Sequence, residues 1–336
     1  MASLAAMLEQ LRGFDLERAM GLRPPSPDVA LELDRQSMTL VRLKPKRRRR
    51  PTLEAYKIQT TSEAGVPATI FDQDVVAPER LREQLRGLYE SAGTRPGRVS
   101  LVLPDNLAKI SLLTLPERPP SRKQLEEALR FKMRRSVPFR LRDAALSYQI
   151  IPGEGKSVAI LVALIRRSLV ERYEEALEAI GARPGLIDLC TPSLVNLCRK
   201  ELTAAAPGGD VALLNCAQSY FSLVIFRGER LIFFRCKTYS MRAEPPAELN
   251  GLLAREVDYS LSYYEEKLSG KGIGTMLVRS ADIPVEQVTG DLNGLDVKQV
   301  QPIDPVVSIP FADGQQVDSP TAQRIAPALG AAVGRN

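Results

Sequence analysis

Residues 98–151 read RVSLVLPDNLAKISLLTLPERPPSRKQLEEALRFKMRRSVPFRLRDAALSYQII, and the fold follows from how that stretch divides. Val99, Leu101 and Leu103 alternate with their neighbours, and a second apolar run, Ile110 to Leu115, follows a proline-containing turn, so two strands are expected. A helix comes next. Ser121 stands three residues before Gln124, the spacing of a capping box, in which the hydroxyl accepts from a free N–H of the first turn. Leu125, Leu129 and Met133 recur every four residues and put an apolar stripe on one face. Pro138 pushes its predecessor towards extended backbone, so the helix should stop near Ser136 or Val137. Leu146, Tyr148 and Ile150 alternate as a third strand. The stretch is a small strand–helix–strand unit set into a larger α/β frame.

On its C-terminal side, Val158 to Ile165 (VAILVALI) is a continuous apolar run, the pattern of a strand covered on both faces. Ser168 and Glu171 form a second capping box, with Val170, Tyr173, Leu177 and Ile180 inward and Gly181 closing the helix. Strand Leu186 to Leu189 and a helix capped by Thr191, with Pro192 at its first position, lead to APGGD at 206–210, the expected boundary between halves. On the N-terminal side, Val29 to Leu33 and Met38 to Leu43 are strands joined by the polar turn Asp34 to Ser37. The loop KPKRRRRP, strand Leu53 to Gln59, a short apolar segment from Val66 to Phe71, and a helix from Pro78 with Leu81, Leu85 and Leu88 on its face follow. Gly93 is its C-terminal cap. Beyond the boundary come strands Val211 to Asn215, Phe221 to Phe226 and Arg230 to Arg235, helix Leu252 to Leu268, and strand Thr275 to Val278. Strand–strand–strand–helix–strand therefore occurs twice, starting about 180 residues apart, with VAL and then QS at the head of each copy.

Composition narrows the chemistry. The chain has 336 residues, 44% of them hydrophobic, enough for two domains with ordinary cores. No apolar run approaches the ~20 residues of a membrane span, and Glu9 and Arg12 interrupt the only apolar stretch of the N-terminus, so a soluble, cytoplasmic protein is expected. The absence of histidine, and four cysteines (Cys190, Cys198, Cys216, Cys236) with no C-x-x-C pair, remove the usual zinc sets and the Ser-His and Cys-His arrangements. The net charge of +6 equals the charge of one loop, Lys44 and Lys46 with Arg47, Arg48, Arg49 and Arg50. A nucleic-acid binder spreads its cations over a face and intersperses aromatics, so nucleic acid is not the expected partner. That loop is either a solvated hairpin end or a contact for anionic lipid or an acidic partner. Leu4, Met7, Leu8, Leu11 and Phe14 recur at helical spacing before the linker RPPSP, so residues 1–22 form an amphipathic helix that docks on the protein's own body, on a partner or on a membrane surface.

LPDN, the strand after it, a helix closing on RRSVPFRL and a strand beginning ALSYQI resemble the inserted subdomain of PilM-type actin-like proteins. These are cytoplasmic components of type IV pilus assembly, related to the cell-division protein FtsA. The resemblance runs over most of Val29 to Gly334 and implies an α/β, actin-like (ribonuclease H-like) fold of duplicated lobes with a small inserted α+β subdomain in the first lobe. On that plan residues 1–28 are an N-terminal helix and linker, 29–103 and 158–206 the two parts of the first lobe, and 104–157 the inserted subdomain. Residues 207–318 form the second lobe, and 319–336 a C-terminal helix returning to the first.

In nucleotide-binding members of that superfamily each lobe's first hairpin carries Asp-x-Gly, whose bare backbone approaches the phosphates while the aspartate manages Mg²⁺ or water. The resemblance aligns the first motif with Glu32-Leu33-Asp34, the second with Asn215-Cys216-Ala217, and the paired glycines of the adenosine motif with Arg279-Ser280. A carboxylate and Cβ atoms stand where backbone should face a polyphosphate, and the 16 residues between Arg235 and Leu252 leave no room for the family's small helical cap. The expectation is a scaffold without ATPase activity and without a cofactor. An FtsA-like ATPase holding ATP with Mg²⁺, and a GspL-like type II secretion component, are the alternatives. GEGKS at 153–157 resembles the end of a phosphate-binding loop, but its leading glycine would be Ile150 and a β-rich run follows, so it reads as a hairpin turn.

The partner implied by the resemblance is the short cytoplasmic N-terminal tail of a PilN-like inner-membrane protein, together with other pilus or secretion components. The protein would then be peripheral to that membrane. Phe131, Arg134, Arg135, Val137 and Phe139 border the groove expected between inserted subdomain and first lobe, an apolar floor with a cationic rim. The competing reading makes the two phenylalanines core and the arginines merely solvated.

Overall fold

The computed structural model describes residues 26–44, 51–60, 66–72, 78–152, 157–217, 219–238, 246–311 and 317–334. The N-terminal helix expected over residues 1–22, the loop residues Lys46, Arg47, Arg48, Arg49 and Arg50, and most of GEGKS lie outside them.

In the first lobe β1 (Val29–Leu33), β2 (Ser37–Lys44) and β3 (Thr52–Thr60) form an antiparallel meander. Helix α1 (Pro78–Ser91) crosses over to β4 (Arg98–Leu103), which runs parallel to β1. Leu81, Leu85, Leu88 and Tyr89 of α1 are buried on this sheet, and Gly93 turns the chain away at φ 58°. The inserted subdomain holds β5 (Ala108–Leu115), α2 (Arg122–Met133), β6 (Ala144–Pro152) and β7 (Val158–Arg166). Then α3 (Arg167–Glu178), β8 (Arg183–Leu189), α4 (Cys190–Leu197) and α5 (Arg199–Ala205) complete the first lobe in the strand order β3-β2-β1-β4-β8. The second lobe repeats the plan with β9 (Asp210–Cys216), β10 (Tyr220–Arg227), β11 (Arg230–Thr238), α6 (Pro246–Leu268), β12 (Ile273–Ser280), α7 (Val285–Leu292) and β13 (Val297–Pro302) in the order β11-β10-β9-β12-β13. The short α8 (Pro305–Ser308) and the long α9 (Ser319–Val333) follow.

The two first hairpins close alike: the Asp34 N–H donates to Ser37 O at 2.9 Å, and the Ala217 N–H to Tyr220 O at 2.9 Å. Glu32-Leu33-Asp34 and Asn215-Cys216-Ala217 are therefore equivalent turns.

The largest difference from the sequence reading is β7. Its apolar run was expected to resume the first lobe at residue 158, whereas it is the central strand of the subdomain's own sheet, β5-β7-β6, with both neighbours antiparallel. Ile160, Val162 and Leu164 face Leu125, Leu129 and Met133 of α2, while Ala159 and Leu161 pack with Leu231 and Phe234 of the second lobe. Burial on both faces produces the same unbroken run that a parallel central strand would show. The subdomain thus reaches Arg166.

Three helix starts are informative. Ser121 caps α2, accepting from the Gln124 N–H at 3.2 Å, but the helix ends at Met133, short of the expected stop, where the Ser136 hydroxyl donates to Met133 O at 2.7 Å. The capping box at Ser168 is not made: α3 starts at Arg167 with no side-chain cap. Thr191 is inside α4, and its hydroxyl is engaged elsewhere. Helix α7 and strand β13 went unassigned in the sequence. The spacing of Val285, Val288 and Leu292, all buried, held the signal for α7, whereas VKQVQP on a half-exposed edge holds little.

One core is common to both lobes. Val102 and Val41 of the first lobe and Leu213, Val224 and Leu277 of the second share it with Leu194 of α4 and Ile325 and Leu329 of α9. Helix α9 packs on β1, β2 and β4, and against α4 so closely that a Cβ at Gly330 would lie 1.9 Å from Ser193 O.

Candidate functional site

The carboxyl ends of β1, β4, β9 and β12 converge between the lobes on a buried polar network. Arg279, at the end of β12, is 2% exposed, yet its guanidinium reaches three elements. It donates to Gln323 O of α9 at 2.9 Å, to Asn215 Oδ1 of β9 at 3.1 Å and to Glu32 Oε1 of β1 at 3.4 Å. The last contact is an ion pair across the lobes whose side chains are 3% and 4% exposed. Burial is the largest influence on Arg279 and works against its charge, but Glu32 together with Cys190, Tyr220 and Asp282 outweighs it and the guanidinium stays a cation. Burial dominates at Glu32 instead and raises its carboxyl to about 7, with Arg279 pulling the other way. The Cys190 thiol donates to the same Glu32 oxygen at 3.4 Å, and burial holds its own pKa well above the ordinary value.

A second buried carboxylate, Asp105, lies just past β4. It accepts from the Thr191 N–H at 3.0 Å, from the Thr191 hydroxyl, from Ser222 Oγ at 2.7 Å and from Asn215 Nδ2 at 3.5 Å. Burial raises its pKa while these donors oppose the rise. Ser222 and Asn215 belong to the second lobe and Asp105 to the first, so this cluster too ties the halves together. Asp34 is half-buried at the first turn, its pKa raised by burial and by Asp282, which pairs with Arg324 of α9 at 3.4 Å. Ser280 donates its N–H to Gln323 Oε1 at 3.2 Å.

Of the residues at the nucleotide motifs, Glu32, Asn215 and Arg279 are joined directly, and Ser280 and Asp34 lie at the margin. Ala217 closes its hairpin and contributes no polar side chain. Sequence reasoning missed Asp105, Thr191, Ser222 and Gln323, although Asp105 lies within LPDN, and missed that Arg279 spans the cleft. The connection from β11 to α6 is residues 239–245, shorter still than the sequence suggested.

None of Phe131, Arg134, Arg135, Val137 and Phe139 lines the cleft found between the first lobe and the subdomain. That cleft, of about 50 Å³, is lined by Pro67, Ile70, Leu107, Arg166, Leu169 and Arg172. Phe139 reaches its margin by packing its ring 4.7 Å from the Arg166 guanidinium carbon. Val137 and Phe139 pack on the subdomain core, whereas Phe131 in the last turn of α2 and Arg134 and Arg135 just past it are exposed. The five residues thus divide into a core-backed pair and a solvent-facing trio. A larger cavity, about 280 Å³, lies between the subdomain, α4, α5 and the second lobe, walled by Ile150, Leu161, Val195, Thr203, Phe226 and Phe234.

Two actin-like lobes with a subdomain inserted after β4 make a specific comparison possible. Residues 31–242 match the family model described as type IV pilus assembly protein PilM. The chain belongs to the PilM family. Of solved structures, a chain of a PilM-PilN type IV pilus biogenesis complex is similar at 21% identity and a TM-score of 0.72, over 93% of this chain and 98% of that one. The cytoplasmic domain of EpsL, an inner-membrane component of the Vibrio cholerae type II secretion system, is 10% identical with a TM-score of 0.49, covering 92% and 95% of the two chains. A Bacteroides thetaiotaomicron protein of actin-like ATPase fold is 12% identical with a TM-score of 0.47, covering 82% and 90%. No curated protein matches by sequence. In this PilM-family chain the Arg279 guanidinium joins the end of β1 in the first lobe to the ends of β9 and β12 in the second. Among the described residues no helix is long and apolar enough to cross a membrane.

Proposed function

We propose that this PilM-family protein is a non-catalytic scaffold, peripheral to the cytoplasmic face of the inner membrane, that holds the cytoplasmic tail of a PilN-like membrane protein. The observation that carries the non-catalytic part is the Arg279–Glu32 pair. A Mg²⁺-bound polyphosphate at this junction would meet the Glu32 carboxylate and would have to displace Arg279 from three partners that are all shielded from water. Asn215 and Ala217 offer neither the carboxylate nor the bare backbone of a phosphate-binding turn. Titration of the protein with ATP and Mg²⁺ is expected to give no saturable binding below millimolar nucleotide. Submicromolar affinity, or turnover, would establish the ATPase reading instead.

For the tail, the groove beside Phe139 combines apolar Pro67, Ile70, Leu107 and Leu169 with two cations, Arg166 and Arg172, and one carboxylate, Asp72, a lining that offers an extended peptide apolar anchors and a net positive rim. Likeness to the chain of a PilM-PilN complex supports a PilN-like partner. In fluorescence anisotropy with a labelled tail peptide, R166E/R172E should weaken binding at least tenfold, about the cost of two lost charge-assisted contacts. T203D, on the wall of the larger cavity, should leave binding unchanged. The reverse pattern would move the peptide to the larger cavity.

A further inference from the structure

The solvent-facing trio belongs to a second basic run. Residues 130–142, RFKMRRSVPFRLR, carry six cations (Arg130, Lys132, Arg134, Arg135, Arg140, Arg142) and no carboxylate. With this run and the six cations of the 44–50 loop set aside, the remaining 34 Lys and Arg of the chain's 46 face 40 carboxylates. The positive charge is therefore concentrated against an acidic remainder.

Tertiary structure holds this run on one end of the subdomain. Leu125, Leu129 and Met133 turn inward from α2, which points Phe131, midway between the last two, directly away from the core; it is 64% exposed. The Arg134 guanidinium carbon lies 4.3 Å from its ring centroid. Arg130 donates to Leu141 O at 2.8 Å and straps the helix end to the following turn, so Arg140 and Arg142 stay beside it. Among the described residues Lys132, Arg134, Arg135 and Arg140 have no carboxylate within ion-pair distance, and Arg142 has only a loose one, Asp143 at 3.9 Å, in solvent. Favourable interaction with the helix dipole accounts for cations in the last turn of α2, but not for those after it or for an apolar ring aimed at water.

We propose that this end of the inserted subdomain rests on an anionic phospholipid surface, Phe131 entering at headgroup depth and the surrounding arginines pairing with lipid phosphates. Phe131 is exposed, and neither cavity described above is lined by residues 130–142. An exposed aromatic stacked with Arg134, in a run whose Lys132, Arg134, Arg135 and Arg140 lack carboxylate partners among the described residues, suits a soft, polyanionic plane rather than a peptide, which would need a groove. The inference is independent of the tail-capture reading.

Co-sedimentation of the full chain with phosphatidylglycerol–phosphatidylcholine vesicles tests it, with pure phosphatidylcholine vesicles as control. Binding to the anionic vesicles alone, weakened by salt, is expected. R134E/R135E should lower the apparent partition coefficient at least tenfold and F131S severalfold, both keeping the wild-type melting temperature because neither side chain is buried. Equal binding to both vesicle types, or variants that bind anionic vesicles like the wild type, would overturn the proposal. So would loss confined to a variant with serines at 46–50, which would assign the contact to that loop. The same variants titrated with the tail peptide keep the two readings apart. Retained peptide binding with lost vesicle binding supports the lipid face, whereas lost peptide binding with retained vesicle binding assigns the patch to the protein partner.

Discussion

Arg279 and Glu32 make the strongest single-residue demand on this fold, because each is a buried charge whose main compensation is the other. Removing Glu32 leaves the Arg279 cation uncompensated, so E32A should cost about 3–5 kcal/mol in denaturant unfolding, whereas R279A should cost less because Glu32 can then take up a proton. The double replacement R279M/E32L should cost less than either single change, since it removes both desolvated charges, and a double-mutant cycle measures the difference. Glu32 also sets a pH dependence. Its carboxyl is held at about 7, above the ordinary 4.5, so the folded protein takes up this proton more readily than the unfolded chain. The resulting stabilisation is complete below pH 4.5 and is lost as the pH rises through 7. Thermal melts between those limits should show the wild type losing stability with rising pH, and E32Q losing less. In the sequence Glu32 and Arg279 are legible as departures from a phosphate-binding pattern. That they would meet is not, because 247 positions separate them and no local rule connects the ends of two lobes.

At the level of elements, the start of α2 and the contact between α4 and α9 differ in kind. The Ser121 cap satisfies one free N–H at an exposed helix end, and S121A should destabilise by about 1 kcal/mol without altering the rest of the molecule. Gly330 is a packing requirement: G330A would drive a Cβ into the Ser193 carbonyl and should cost about 3 kcal/mol as α9 shifts off α4, visible as a lower melting temperature. The helices at Pro78 and Ser121 were readable from stripe and cap, and α6 from its stripe alone, which missed its first turns because it starts at Pro246 rather than Leu252. Strand β7 was readable as a doubly covered strand but not as a member of the subdomain, because burial on two faces carries no label for what covers each. Thr191 looked like a helix cap and instead serves Asp105, a case of tertiary contact overriding local capping chemistry.

Across the whole molecule, the core that α4 and α9 share with both sheets makes independent unfolding of the lobes unfavourable, since either lobe alone would expose Leu194, Ile325 and Leu329. Far-ultraviolet dichroism and tyrosine fluorescence should therefore report one coincident denaturant transition, with buried Tyr89 and Tyr173 in the first lobe and Tyr220 and Tyr264 in the second. Two separated transitions would contradict a common core. Alternation, helical stripes and the repeated VAL…QS head determined by themselves that the chain has two matching α/β lobes with an insertion, because those patterns are set by local geometry and by which face of each element must leave water. Only the tertiary structure decided that Arg279 closes the cleft, that Asp105 gathers donors from both lobes and that Phe131 stands outside the core. Each depends on distances between segments far apart in the chain, and such distances are fixed by packing.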